Sequence, residues 1–279
     1  MIKILLSTYN GARFLAEQIE SILAQTYQDW QLVVRDDGST DDTCAIIDDY
    51  CTKYPQKIVR QVDELKNLGA MRSFEQLLIA NEADYFMFCD QDDVWMPEKI
   101  TIFAQKMQET EQKFGCEMST VVHGDMIVAN ECLETIAPSF WKFCNIHPEI
   151  IDCSLPFIAF CNTITGCSCL LNNAAKRCML PVSQRAYMHD AWLAIQTLAN
   201  GGKIVPIGVP TMLYRQHGSN VLGAVNYDEM RRNIKLRTAQ TKRVYRQAKG
   251  VAWQNIAEFV WQKMRYFISR KKNEKWLTF

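Results

Sequence analysis

Short apolar runs alternate with amphipathic stretches along the first hundred residues. "IKILLST" is a compact apolar run, and "ARFLAEQIESILAQT" behind it puts Leu15, Ile19, Ile22 and Leu23 on one helical face. "WQLVVRDD" predicts a second strand, and "STDDTCAIIDDYCTKY" a second helix opened by capping residues. "KIVRQV" fits a third strand. "GAMRSFEQLLIANE" fits a short helix whose apolar face, Phe74, Leu77 and Leu78, ends at Asn81. "DYFMFCD" is the fourth strand, and "PEKITIFAQKMQET" a helix with proline in its first turn. Strands and helices in this alternation predict an α/β fold with a Rossmann-like, mostly parallel central sheet flanked by helices.

Beyond residue 115 the period weakens. "STVVHGDMIV" predicts a strand, residues 131–160 loops and short helices, and "TITGCSCLLN" a strand with a glycine inside it. "HDAWLAIQTLANGG" predicts a helix stopped by glycine. "KIVPIGVPTMLYRQHGSN" reads as an irregular, edge-like extended run broken by Pro206 and Pro210. A stripe of Trp253, Ile256, Ala257, Val260, Trp261, Met264, Phe267 and Ile268 predicts a C-terminal amphipathic helix.

The 279 residues suffice for one large domain with an appendage, and 48% hydrophobic with 22% charged residues is a globular balance. No apolar run approaches the roughly 20 residues of a membrane span. "MIKILLSTYN" is too short for a secretory signal and lacks a small-residue cleavage site, so it reads as a strand. The formal net charge of zero hides an asymmetry. From Glu229 to Phe279 there are fourteen Lys/Arg and three Asp/Glu, a net of +11, and the rest of the chain carries −11. We therefore expect a domain over 1–228, in halves 1–115 and 116–228, and a basic helical tail over 229–279. Such a tail suits an anionic membrane surface, or else packs on the domain or on a second subunit. Nucleic acid is not expected, because no binding motif accompanies the charge. The eleven cysteines form no CxxC pair, which fits buried or neutral thiols in a reducing cytoplasm.

The polar clusters "STYN", "RDDGSTD" and "DQDD" follow the first, second and fourth predicted strands. All three fall on the edge of the sheet where such folds bind ligands. In "MFCDQDDVWMP", Asp90, Asp92 and Asp93 crowd three carboxylates into four positions. Either they form a solvated turn that caps the next helix, or they share a hard divalent cation, Mg²⁺ or Mn²⁺.

These segments, with "NLGAMRSFEQLL", "TITGCSCLLN", "MHDAWLAI" and "YRQHGSNVLG", resemble family 2 glycosyltransferases of the GT-A fold over residues 1 to about 223. The "HDAW" form is similar to bacterial rhamnosyltransferase-like enzymes of surface polysaccharide assembly. The resemblance implies a donor of the nucleoside-diphosphate sugar class, UDP- or dTDP-linked, and a saccharide or lipid-linked acceptor. It implies Thr8 and Tyr9 lining the base pocket, Asp37 accepting the ring N3–H, and Asn67 marking the third loop, with Lys66 or Arg72 near base or diphosphate. It also implies Asp92 as metal ligand, with Asp90 nearer the ribose or the metal and His217 as a further ligand. Gly166 would bring backbone close to donor sugar or acceptor, and Arg215 would meet the diphosphate. Asp190 would be the general base, although a helix start is also an ordinary place for a capping Asp. His189 would orient that base, touch the acceptor or pack structurally. One base without a second nucleophilic carboxylate implies inversion. The competing readings are an inactive nucleotide-sugar binding module, which would lack the base or the aspartate motif, and a sugar nucleotidyltransferase, which would need a Gly-rich basic phosphate loop. The enzyme is expected in the cytoplasm, either free or peripheral on the inner face of the membrane.

Overall fold

A computed structural model describes residues 1–218, 220, 223–224 and 234–274. Strands β1 (Ile2–Thr8), β2 (Trp30–Asp36), β3 (Ile58–Arg60) and β4 (Tyr85–Cys89) alternate with helices α1 (Leu15–Leu23), α2 (Thr43–Lys53) and α3 (Ala70–Ala80). Next come β5 (Val94–Trp95), α4 (Lys99–Phe114), β6 (Thr120–Ala129) and β7 (Thr135–Ala137), then the short helices α5 (Phe140–Cys144), α6 (Pro148–Ile151) and α7 (Leu155–Phe160). β8 (Cys169–Asn172), α8 (Asn173–Met179), α9 (His189–Ala199) and β9 (Lys203–Arg215) close the domain. The tail holds α10 (Ile234–Ala248) and α11 (Ile256–Glu274).

Among the described residues the strands form one sheet in the order β3-β2-β1-β4-β8-β6-β9-β5, with β7 beside β6. Both faces are covered. Ile4 and Leu6 of β1 pack with Ile19, Ile22 and Phe103 on one side. Leu5 packs with Phe74, Leu77 and Leu193 on the other. Alternation along one strand thus feeds two apolar layers.

The sheet is mixed rather than mostly parallel. β1 to β4 are parallel, but β8 runs antiparallel between β4 and β6. An apolar run does not encode its direction, which is why the sequence pattern missed this. The glycine expected inside that strand lies just before it, in a 3-10 turn over Gly166–Ser168. The run expected to be broken by prolines is the single strand β9. Its pairing with β6 slips near Gly124 and Asp125, so that Asp125 faces Pro210 while Gly124 faces Ile207. Pro210 sits at this bulge, where a missing N–H costs the ladder little, while Pro206 faces His123 in the regular register.

The tail docks by one face. Trp253 is fully buried beside Ala159, Ile195, Ala248 and Phe259, and Phe160 stacks on it at 4.9 Å. Tyr266 meets Phe157 edge-on at 5.6 Å. Trp253, expected on the stripe, precedes α11 and belongs to this core, while Val260, Trp261, Met264, Phe267 and Ile268 stay exposed. The expected boundary at 228/229 lies outside the described residues. No described helix is long and apolar enough to cross a membrane.

Candidate active site

Parallel pairing puts the carboxyl ends of β1, β2 and β4 on one edge. Thr8 stands level with Asp36, and Asp90 follows the end of β4. Because β8 is antiparallel to β4, its amino end delivers Gly166 and Cys167 to the same edge. β5 pairs antiparallel with the end of β9, which brings Arg215 and His217 to Asp92 and Asp93.

The expected base loops form one hydrogen-bonded unit. Asp36 accepts from Thr8 Oγ1 at 2.8 Å and from the Gly38 and Ser39 amides. These donors hold its carboxyl below its ordinary value although burial opposes them. Asp37 is buried. Its Oδ1 accepts from Arg35 Nη1 and the Leu68 amide, and its Oδ2 from the Gly69 amide at 2.8 Å. Asn67 adopts φ 55°, a left-handed turn, and donates its amide to the Asp37 carbonyl. Tyr9 is half exposed above this unit. Gln91, between the aspartates, clamps the first loop by bonding both Tyr9 N and Tyr9 O.

Asp92 Oδ2 lies 2.7 Å from His217 Nε2, so the structure brings together two of the expected metal ligands. Asp90, Asp93 and Cys167 offer ligand atoms within 4.8 Å of one another. Asp93 is fully buried. Its Oδ1 accepts the Arg215 amide at 3.0 Å, while its Oδ2 has no hydrogen-bond partner. Burial, then the nearby Asp92 and Asp190 charges, push Asp90 up to about 7. Burial also pushes Cys167 well above its ordinary value, so it is a neutral thiol. Crowded oxygens with raised affinity for protons, an orphaned buried carboxylate oxygen and an imidazole at the rim fit a hard divalent cation. Beneath them lies a buried cation that the sequence reading missed. Lys99 Nζ donates to the Cys167 carbonyl at 2.6 Å and sits 4.0 Å from the Trp95 ring, its pKa brought down by burial to about 8. A lysine at a helix start is ordinarily solvated, so only the long-range contact to residue 167 reveals it.

Asp190 lies in the first turn of α9, past the capping position at Met188. Its Oδ1 accepts the Ala191 amide at 2.6 Å and its Oδ2 the Gly166 amide at 3.3 Å. Burial pushes it up to about 6 against these donors, which suits a proton acceptor near neutral pH. His189 is wedged between Phe74 and Phe88, with ring centroids 4.4 and 4.7 Å away and both nitrogens unpartnered. Burial holds it neutral, with its pKa near 3. A Cβ at Gly166 would come within 2.6 Å of His189 Nε2. On the side where a Cβ would point, this glycine makes room for the His189 ring.

Two expected phosphate ligands are otherwise engaged. Arg215 is buried and donates to the Asp92 carbonyl at 2.7 Å, the Glu131 carbonyl at 2.6 Å and Glu17 Oε2 at 2.5 Å, with Phe14 over its guanidinium. It braces the aspartate turn. Arg72 bonds Glu75 and the Val182 carbonyl, which ties α3 to the loop after α8.

Residues 3–118 match the family model "Glycosyl transferase family 2". Over 98 residues the chain is 36% identical to the dTDP-rhamnosyl transferase RfbG of Shigella flexneri, covering 34% of each chain. The chain spans little more than a third of the curated relatives it first matches, 38%, 35% and 34% of their lengths. Among solved structures it superposes on S. aureus TarS 1-349 in complex with UDP-GlcNAc with a TM-score of 0.61 at 16% identity, covering 95% of this chain and 71% of that one. It also superposes on the mannosyltransferase PcManGT of Pyrobaculum calidifontis, in complex with GDP-Man and Mn²⁺, with a TM-score of 0.62 at 13% identity, covering 78% and 58%. At such identities the likeness shows the fold, which is the GT-A arrangement.

Proposed function

We propose that this chain, whose residues 3–118 carry a family 2 glycosyltransferase domain, transfers a sugar with inversion from a nucleoside-diphosphate sugar to a saccharide or lipid-linked acceptor in surface polysaccharide synthesis. The observation that carries this is the edge where the aspartate turn after β4 meets Asp190 from α9, close enough for Asp190 to raise the pKa of Asp90. The match to a dTDP-rhamnosyl transferase supports a dTDP- or UDP-linked donor, with rhamnose as the first sugar to test.

Thr8, Tyr9, Asp37 and Asn67 form the base end of the donor site, and Asp37 Oδ2, with a single partner, takes the ring N3–H. Asp92, Asp90 and His217 would hold Mg²⁺ or Mn²⁺, as the Mn²⁺ bound to the similarly folded mannosyltransferase supports. The cation, when bound, neutralises the departing diphosphate. Asp190 takes the proton of the acceptor hydroxyl as that oxygen attacks the anomeric carbon. The Gly166 and Ala191 amides fix its carboxylate for that role. Asp93 and Arg215 hold the turn in place. The tail's exposed apolar face, with basic side chains around it, is assigned to the inner face of the membrane, beside a lipid-linked acceptor.

A screen of UDP- and dTDP-sugars with Mn²⁺ or Mg²⁺, following released nucleotide with and without saccharide acceptors, tests the reading. Release should require the cation and vanish in Asp92→Asn. Cation-independent release that survives in Asp92→Asn would overturn the metal assignment, and no release from any donor would sink the transfer reaction.

A further inference from the structure

Residues 184–187 form the loop that runs into α9. With α10 and the turn after it they line an open-mouthed cavity of about 760 Å³, within the range that holds small ligands. Four cations line it, Arg185 from the loop, Arg243 and Arg246 from α10 and Lys249 just after it, and among the described residues no Asp or Glu does. Among the described residues none of the four joins an ion pair, whereas other surface cations do, as in Arg13–Glu131, Arg60–Asp48 and Arg177–Glu117. The cavity wall is fastened to the loop. The Tyr187 amide donates to Gln247 Oε1 at 3.2 Å, and the Arg243 guanidinium lies 4.8 Å from the centre of the Tyr187 ring. Tyr187 is three residues from Asp190, so whatever occupies the cavity is tied through a short, anchored segment to the proposed base.

We propose that this cavity is an anion site for a phosphate or diphosphate group on the acceptor. The inference rests on the transfer reaction above. In that reaction the donor diphosphate is met at an acidic edge through a cation. A second site built from bare guanidinium and ammonium groups takes an anion that brings no metal. Arginine forks match phosphate oxygens in pairs, and lysine adds a point charge. The neutral lining, Gln184, Tyr187 and Gln254, supplies hydrogen bonding for a sugar attached to that phosphate. The phosphate can belong to a lipid diphosphate or to a soluble phosphate-bearing saccharide.

The test uses the full chain in EDTA and inorganic pyrophosphate as probe, by calorimetry. Binding should weaken at least tenfold in the double variant Arg243→Gln/Arg246→Gln, by a few-fold in Lys249→Gln, and stay within twofold in Asp92→Asn. UDP binding with Mn²⁺ should be unchanged in the double variant. Absent pyrophosphate binding, equal binding in the double variant, or loss confined to Asp92→Asn would overturn the site. If wild-type protein fails to bind UDP with Mn²⁺ while pyrophosphate binding depends on the arginines, the transfer reading falls and the anion site stands. Phosphatidylcholine vesicles with and without farnesyl diphosphate separate the sources. Arginine-dependent retention on the doped vesicles marks a lipid diphosphate, and solution binding without retention marks a soluble acceptor; both uphold the site.

Discussion

The edge after β4 and the cavity before α9 meet anions with opposite charge. At the edge, Asp90, Asp92 and Asp93 are half-buried or buried, braced by Arg215 from behind and underlain by Lys99. In the cavity, Arg185, Arg243, Arg246 and Lys249 face solvent without acidic partners. Buried carboxylates repel each other and await a cation, which then attracts phosphate; exposed cations attract phosphate directly. The first design fixes geometry around a reacting bond, and the second gives long-range attraction that salt weakens. A transferase that handles two anions needs to keep them apart, and oppositely charged sites do so.

The largest effect that sharpens this contrast is at Asp190. Asp190→Asn should lower kcat about 10² to 10⁴-fold while leaving UDP binding with Mn²⁺ within about threefold. Nucleotide-release kinetics beside calorimetry would check both, and full activity in the variant would mean the base is assigned wrongly. The sign of the pH dependence follows from the same group. A base works deprotonated, and Asp190 is raised to about 6. Activity at saturating cation should therefore be flat above that pH and fall about tenfold per unit well below it. A profile flat down to pH 4.5 would remove Asp190 from the proton path.

Next in size is the joint between tail and domain, on which the cavity depends. Phe259 is buried against Trp253 and Phe160 at 5.0 and 5.2 Å. Phe259→Ala should cost about 3 kcal/mol, read as a lower urea midpoint and earlier proteolytic loss of the tail. Unchanged protease resistance would separate the tail from the domain's stability. At the acidic edge, Lys99→Met keeps most of the volume but removes the donor to the Cys167 carbonyl. About 1–3 kcal/mol of stability should be lost, again by urea unfolding. A neutral or stabilising result would mean that burying the charge costs as much as its contacts return.

How much of this was legible in the sequence follows the same divide. The half from β1 to β4 was readable because each strand, loop and helix carries its own signal, down to the end of α3 before Asn81. The aspartate cluster stood out as crowded carboxylates, and Asp190 only through the family resemblance of its motif. Gln91, Lys99 and the bracing contacts of Arg215 were missed because their partners lie 68 to 198 residues away. The direction of β8 was invisible, and with it the reason Gly166 reaches Asp190. The tail's charge was plain in the composition. Its pairing with Arg185 to form a cavity depends on how α10 docks.

The smallest expected effect on stability concerns the other face of α11, and it separates two kinds of apolar surface in one helix. Trp261 and Met264 are 53% and 55% exposed, so Trp261→Ser/Met264→Ser should change unfolding free energy by under about 0.5 kcal/mol. If that face rests on lipid, each lost side chain removes about 1.5–3 kcal/mol of apolar burial at the bilayer interface. Retention on phosphatidylglycerol-containing vesicles should then fall at least tenfold. It should fall further with salt, because the Lys and Arg residues beside the stripe add attraction to anionic headgroups. Retention that survives the double substitution would leave the exposed stripe without a role at the membrane, and sedimentation of the variant against wild type would then show whether a second copy of the chain covers it.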